Sequence, residues 1–111
     1  MPHSCVDTAV PAGDASAANR LKALGHPVRL AIIQALAGQT PCSCGDFCDR
    51  LPLAQSTISQ HLKILKDAGL IRLTRQGTRS CYSLDTRALA ETNRCLDAIA
   101  ALARGSAREG Q

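Results

Sequence analysis

The chain has 111 residues, room for one domain with a modest core, and carries a formal net charge of +4. It has no Trp, one Phe (Phe47) and one Tyr (Tyr82), so Leu, Ile, Val and Ala must build the core, which suits packed helices better than an aromatic-rich sandwich. No apolar run reaches the roughly 18 residues of a membrane helix, and no basic start followed by an apolar stretch marks a secretion signal, so a cytoplasmic location with reduced thiols is expected.

Residues 1–13 hold two prolines and a glycine with no hydrophobic period, and read as an N-terminal arm. Asp14 or Ser16 is placed to cap a first helix running to about Leu24, with Ala17, Leu21 and Leu24 on one face. Gly25-His26-Pro27 interrupts it, and Pro27 suits the first turn of a second helix whose core stripe is Val28, Ala31, Ile32, Ala35 and Leu36. Gly38 ends that helix. A short helix is expected over Gly45–Leu51, stopped by Pro52. After a tight turn at Leu53-Ala54, a fourth helix spans about Gln55–Ala68 with Ile58, Leu62 and Leu65 inward and Gly69 as a left-handed cap.

The hydrophobic period then changes. Leu70–Thr74 and Ser80–Leu84 are β-like runs flanking a glycine-containing hairpin loop, Arg75–Arg79. A last helix is expected from Thr86 to about Ala103 with a stripe of Leu89, Leu96, Ile99, Ala100 and Ala103. One domain over 14–104 and a polar tail over 105–111 follow. The fold class is mainly α with a β-hairpin wing: a winged helix-turn-helix in the order α-α-α-α-β-β-α. A core this small gains from dimerising.

The positive charge is localised. Between Gln60 and Ser80 stand Lys63, Lys66, Arg72, Arg75 and Arg79 against Asp67 alone, and the rest of the chain is neutral. That is the footprint of a polyanion binder. With the apolar stripe of the fourth helix inward, Gln55, Ser56, Thr57, Ser59, Gln60 and Lys63 face outward. Their hydroxyls, amides and cation can read base edges in a major groove. Lys63 and Lys66 can reach phosphates, and Arg75 and Arg79 suit the backbone or a minor groove. His61 lies beside this face, where it either props the helix or touches phosphate.

Six cysteines (Cys5, Cys42, Cys44, Cys48, Cys81, Cys95) in a reducing compartment need an explanation other than disulfides. Three fall within seven residues, in Cys42-Ser43-Cys44-Gly45-Asp46-Phe47-Cys48. In an extended segment Cys42 and Cys44 point the same way, and in a helix Cys44 and Cys48 share a face. A three-thiolate pyramid suits trivalent arsenic or antimony, while soft sulfur ligands disfavour calcium, magnesium and manganese. Cys5, Cys95 and Cys81 are further candidate ligands, and Cys81 equally suits simple packing. Redox or persulfide sensing by the same thiols is a second reading. A thiol buffer would leave the basic hairpin unused. An enzyme lacks a Cys-x-x-Cys pair, a nucleophile–base pair and a phosphate loop.

Two stretches, Leu21-Lys22-Ala23-Leu24-Gly25-His26-Pro27-Val28-Arg29-Leu30 and Leu51–Ile71 with its core Gln55-Ser56-Thr57-Ile58-Ser59-Gln60-His61-Leu62-Lys63, resemble the ArsR/SmtB family of metalloregulators. The resemblance covers about residues 17–103. It implies a homodimer formed by the first and last helices, binding to palindromic operator DNA without ligand, and release on binding an inducer. It also implies an arsenic/antimony site at the start of the third helix, which Cys42, Cys44 and Cys48 match. Here Gly45 intervenes between Cys44 and Asp46, a shift of one residue. Cadmium/lead sensors of the family add an arm cysteine, for which Cys5 is the candidate. The family's zinc site on the last helix needs His ligands that the 86–104 segment lacks.

Overall fold

The computed structural model describes residues 12–38 and 43–109. Cys5 and Cys42, and the expected arm up to residue 11, lie outside the described residues. Five helices and one hairpin follow each other as α1 (Ala12–Leu24), α2 (Pro27–Ala37), α3 (Cys44–Arg50), α4 (Gln55–Asp67), β1 (Ile71–Gln76), β2 (Arg79–Leu84) and α5 (Thr86–Glu109). The element order expected from the sequence holds, with shifted ends.

Each helix end has a local cause. Helix α1 begins at Ala12, before both residues expected to cap it, Asp14 and Ser16. His26 caps α2: its Nδ1 accepts from the Val28 amide at 3.1 Å, and Pro27 takes the first position, where no amide is needed. Helix α3 starts one residue earlier than the sequence suggested, because Ser43 and Asp46 form a capping box. The Asp46 amide donates to Ser43 Oγ at 3.2 Å, and the Ser43 amide donates to Asp46 Oδ2 at 2.9 Å.

Helix α4 ends in a Schellman motif. The Gly69 amide donates to Lys66 O at 2.9 Å and the Leu70 amide to Leu65 O at 3.1 Å, with Gly69 at φ +82°. The motif turns the chain straight from α4 into β1. Asp85 opens α5: its Oδ1 accepts from the Ala88 amide at 3.0 Å, and Arg72 Nε donates to its Oδ2 at 3.2 Å.

The hairpin is antiparallel, pairing Ile71 with Leu84, Leu73 with Tyr82 and Gln76 with Arg79. Its strands run further than expected and leave a two-residue turn, Gly77-Thr78, with Gly77 at φ +65°. Arg75 and Arg79 therefore stand on the strand ends, not in a five-residue loop. The ladder hydrogen bonds extend to the tip, since nothing in those residues opposes pairing.

The core lies where α1, α2, α3, α4 and the root of the hairpin meet. Ile32, Phe47, Ile58, Leu62, Leu65 and Leu70 are fully buried, joined by Ala23, Ile33, Leu36 and Ile71. The single Phe anchors the short α3 to this core. Helix α5 runs past its expected end. It continues past Ala103 to Glu109, and its stripe residues Leu96 and Ile99 are exposed in the single chain, as is Leu102. Only its first turns pack inward, through Ala88 and Thr92, whose hydroxyl donates to Ala88 O at 2.9 Å.

Candidate nucleic-acid interface and thiol cluster

Burying Ile58, Leu62 and Leu65 fixes the roll of α4, and with it the outward set. Gln55, Ser56, Ser59, Gln60, Lys63 and Lys66 are all exposed, and Thr57 is half-buried. Lys63 Nζ pairs with Asp67 Oδ2 at 3.0 Å one turn along. Both groups are well exposed, so this ion pair is weak and Lys63 can exchange it for a phosphate.

His61 belongs to a different face. Its ring stands 4.6 Å from that of His26, and its Nδ1 lies 3.3 Å from Arg29 Nη1. Arg29 Nε also donates to Ala23 O at 2.6 Å. His61 thus braces α4 against the start of α2. Accepting from Arg29 requires an unprotonated Nδ1. Burial, followed by the neighbouring His26 and Arg29, lowers its pKa from 6.5.

The hairpin carries exposed Arg72, Arg75 and Arg79. Arg79 Nη2 reaches both carboxylate oxygens of Asp46 at 3.4 Å, tying the wing to the first turn of α3. Asp46 is held below the usual carboxylate range by its two hydrogen bonds with Ser43, with Arg79 and Arg50 adding charge. The sequence signal for this carboxylate was the Ser-x-x-Asp spacing of the capping box. Its contact with Arg79, 33 residues away, has no local signal.

Cys44 and Cys48 stand one helical turn apart on α3, both half-buried and both packed against the core. Desolvation first, then the neighbouring Cys44, raises the Cys48 pKa. Cys44 Sγ lies 3.4 Å from Ser59 Oγ on α4. Burial and then the nearby Cys44 also raise the Tyr82 pKa. Cys81 is buried on β2 and Cys95 half-buried on α5. Among the described residues no group of three or more His, Cys, Asp or Glu side chains forms that could hold one metal ion. The structure thus brings together two of the three expected thiols and does not add Cys81 or Cys95 to them.

A polar, exposed face on the second helix of a helix-turn-helix, followed at once by an arginine-bearing hairpin, defines a winged-helix DNA-binding protein. Comparison with known proteins agrees. Residues 24–74 match the family model described as a helix-turn-helix domain. The HTH-type transcriptional regulator YgaV of Escherichia coli is 40% identical over 73 residues, covering 66% of this chain and 74% of that protein. The arsenical resistance operon repressor of Staphylococcus xylosus is 34% identical over 79 residues, 71% of this chain and 75% of its own. An ArsR-like transcriptional regulator from Rhodococcus sp. RHA1 superposes with a TM-score of 0.76 at 27% identity, over 86% of this chain and 89% of that one. The chain belongs to the ArsR/SmtB family of winged-helix transcriptional regulators. The relatives it matches are named as regulators or repressors of transcription. Among the described residues no helix is long and apolar enough to cross a membrane.

Proposed function

We propose that this protein is a metalloid-responsive repressor that holds operator DNA when ligand-free and lets go when Cys42, Cys44 and Cys48 capture As(III) or Sb(III). The observation that carries the reading is the contact between Cys44, beside Cys48 at the start of α3, and Ser59 on the reading face of α4. Sensing chemistry and base reading thereby sit on touching residues. The name of the S. xylosus relative adds a likeness to arsenical resistance.

Proton balance separates a metalloid from a divalent cation as the captured ion. Arsenous acid condenses with three thiols to give one arsenic–trithiolate and three waters, with no net proton released. Cadmium or lead must expel a proton from each thiol it binds, so their capture weakens as pH falls while that of arsenous acid does not. Cys42 would supply the third sulfur. Cys5 would take part in a cadmium/lead site, and disulfide formation between Cys44 and Cys48 would need a two-electron oxidant such as peroxide but no third cysteine.

The same reading places two copies on one operator. Helix α5 exposes Leu96 (46%), Ile99 (58%) and Leu102 (73%), an unusual apolar row for a lone surface helix. An open groove of about 420 Å³ beside it is lined by Leu21 and Leu24 of α1 and by Leu89 and Leu96 of α5. A second copy packing through the first and last helices would cover both. It would also set two α4 helices about one DNA turn apart.

The test is a DNA-release titration with arsenite, antimonite, cadmium, lead, zinc and peroxide side by side. Cys44→Ser and Cys48→Ser should each leave operator binding intact and abolish release by arsenite and antimonite. Normal release from both variants would remove the site assignment.

A further inference from the structure

Sensing by α3 has to reach α4, and among the described residues the Cys44–Ser59 contact is a direct polar path between them. We infer that Ser59 is the coupling residue: its hydroxyl is shared between the Cys44 sulfur and the DNA, and capture of Cys44 withdraws it from the DNA. The inference rests on the thiol-capture reading above and adds the step that transmits it.

Both partners are held in place. The capping box of Ser43 and Asp46 fixes Cys44 at the first position of α3, and fully buried Phe47 anchors that helix. Ser59 follows fully buried Ile58 and stays exposed on the reading face, with Ser56, Gln60 and Lys63 beside it. At 3.4 Å the sulfur and oxygen are in hydrogen-bond contact, and either one can donate. A rigid contact of this kind can change state through its proton alone.

A serine hydroxyl has one proton to give and lone pairs to accept with. While Cys44 is a free thiol, its S–H donates to Ser59 Oγ. The Ser59 proton then points out to a phosphate or a base edge. Once the sulfur is bonded to a metalloid, the thiol hydrogen has left with the departing water. The sulfur can then only accept. Ser59 turns its proton to the sulfur and presents lone pairs to the DNA, where the neighbouring phosphate oxygens are also acceptors. A hydrogen bond to the DNA gives way to two acceptors facing each other, an effect on the order of tenfold in affinity.

Ser59 contacts DNA and is not a ligand of the metalloid, so the test follows coupling separately from capture. Operator binding is measured by fluorescence anisotropy with and without arsenite, and sulfur–arsenic absorbance in the ultraviolet reports occupancy. In Ser59→Ala, arsenite uptake should match the parent protein. DNA binding without arsenite should weaken about tenfold, and the factor by which arsenite weakens it further should shrink by a similar amount. An unchanged release factor at full occupancy overturns the inference while leaving the thiol-capture reading standing. A parent protein that takes up arsenite and holds DNA as before overturns that reading instead.

A metalloid-free arm applies whatever the inducer is. Cys44→Asp installs a permanent acceptor at the first turn of α3, a position that tolerates acidic residues. It should weaken DNA binding more when Ser59 is present than in the Ser59→Ala background. The added charge repels DNA equally in both, so an equal penalty in the two backgrounds overturns the role of Ser59.

Discussion

Gly69 joins the reading helix to the wing, and replacing it isolates a backbone effect. A Cβ built at Gly69 meets nothing within 4 Å, so Gly69→Ala creates no clash with neighbours. Its cost comes from φ +82°, where an L side chain crowds its own carbonyl by about 1–2 kcal/mol. Loss of chain freedom in the unfolded state returns about 0.4–1 kcal/mol, leaving a net destabilisation of about 1 kcal/mol. For a domain of this size that lowers the melting temperature by roughly 4–8 °C. Gly45→Ala is the control: its Cβ would sit 3.7 Å from Ser43 Oγ, an ordinary contact, in a right-handed helical turn. It should be neutral or slightly stabilising. The assay is thermal unfolding followed by circular dichroism at equal protein concentration, because dimerisation makes the melting point concentration-dependent. If Gly69→Ala melts no lower than Gly45→Ala, the Schellman geometry assigned to the end of α4 is wrong.

Further outcomes follow from the same geometry. Arg75→Ala should reduce the slope of log affinity against log salt by about 0.9 for each phosphate that its guanidinium neutralises, read from operator binding at several salt concentrations, whereas Arg87→Ala on α5 should leave the slope unchanged. His61 has a lowered pKa when folded, so the unfolded chain takes up its proton first. Its stabilising contribution is complete above pH 6.5 and is lost as pH falls below that towards the folded value. Urea unfolding at pH 7.5 and 5.5 should show a smaller acid loss for His61→Gln than for the parent, and equal losses would count against the bracing contact with Arg29. The depressed Asp46 and Asp85 act in the same direction but lower, with their contributions lost below 3.8. Ile99→Arg should yield a monomer by sedimentation and weaken operator binding by at least tenfold without altering the helical spectrum. A dimer of undiminished stability would exclude the exposed row of α5 as the contact.

The elements themselves are written locally. Helical spacing of Ile58, Leu62 and Leu65, the Pro27 start, the Gly69 stop and the switch to strand-like residues after Leu70 each act over a few residues. They specify the winged helix-turn-helix order without knowledge of contacts. The same holds for Cys44 and Cys48, whose separation of one turn follows from their being four apart on one helix. End positions moved wherever a side chain reached back to the backbone, as with Ser43 and Asp46, or where strand pairing extended into the loop, as with Arg75 and Arg79.

What required the tertiary structure is every relation between residues far apart in the chain. Periodicity marks α5 as amphipathic, but a stripe reads the same whether it faces its own core or another molecule. Only the packing shows Leu96 and Ile99 uncovered. Likewise His61 lies between inward Ile58 and Leu62 and outward Gln60 and Lys63, so sequence leaves its face open, and the rings and guanidinium of His26 and Arg29 decide it. The Arg79–Asp46 and Cys44–Ser59 contacts span 33 and 15 residues. They exist because Phe47 and Ile58 bury together and bring α3, α4 and the wing within reach, and no short-range rule encodes that docking.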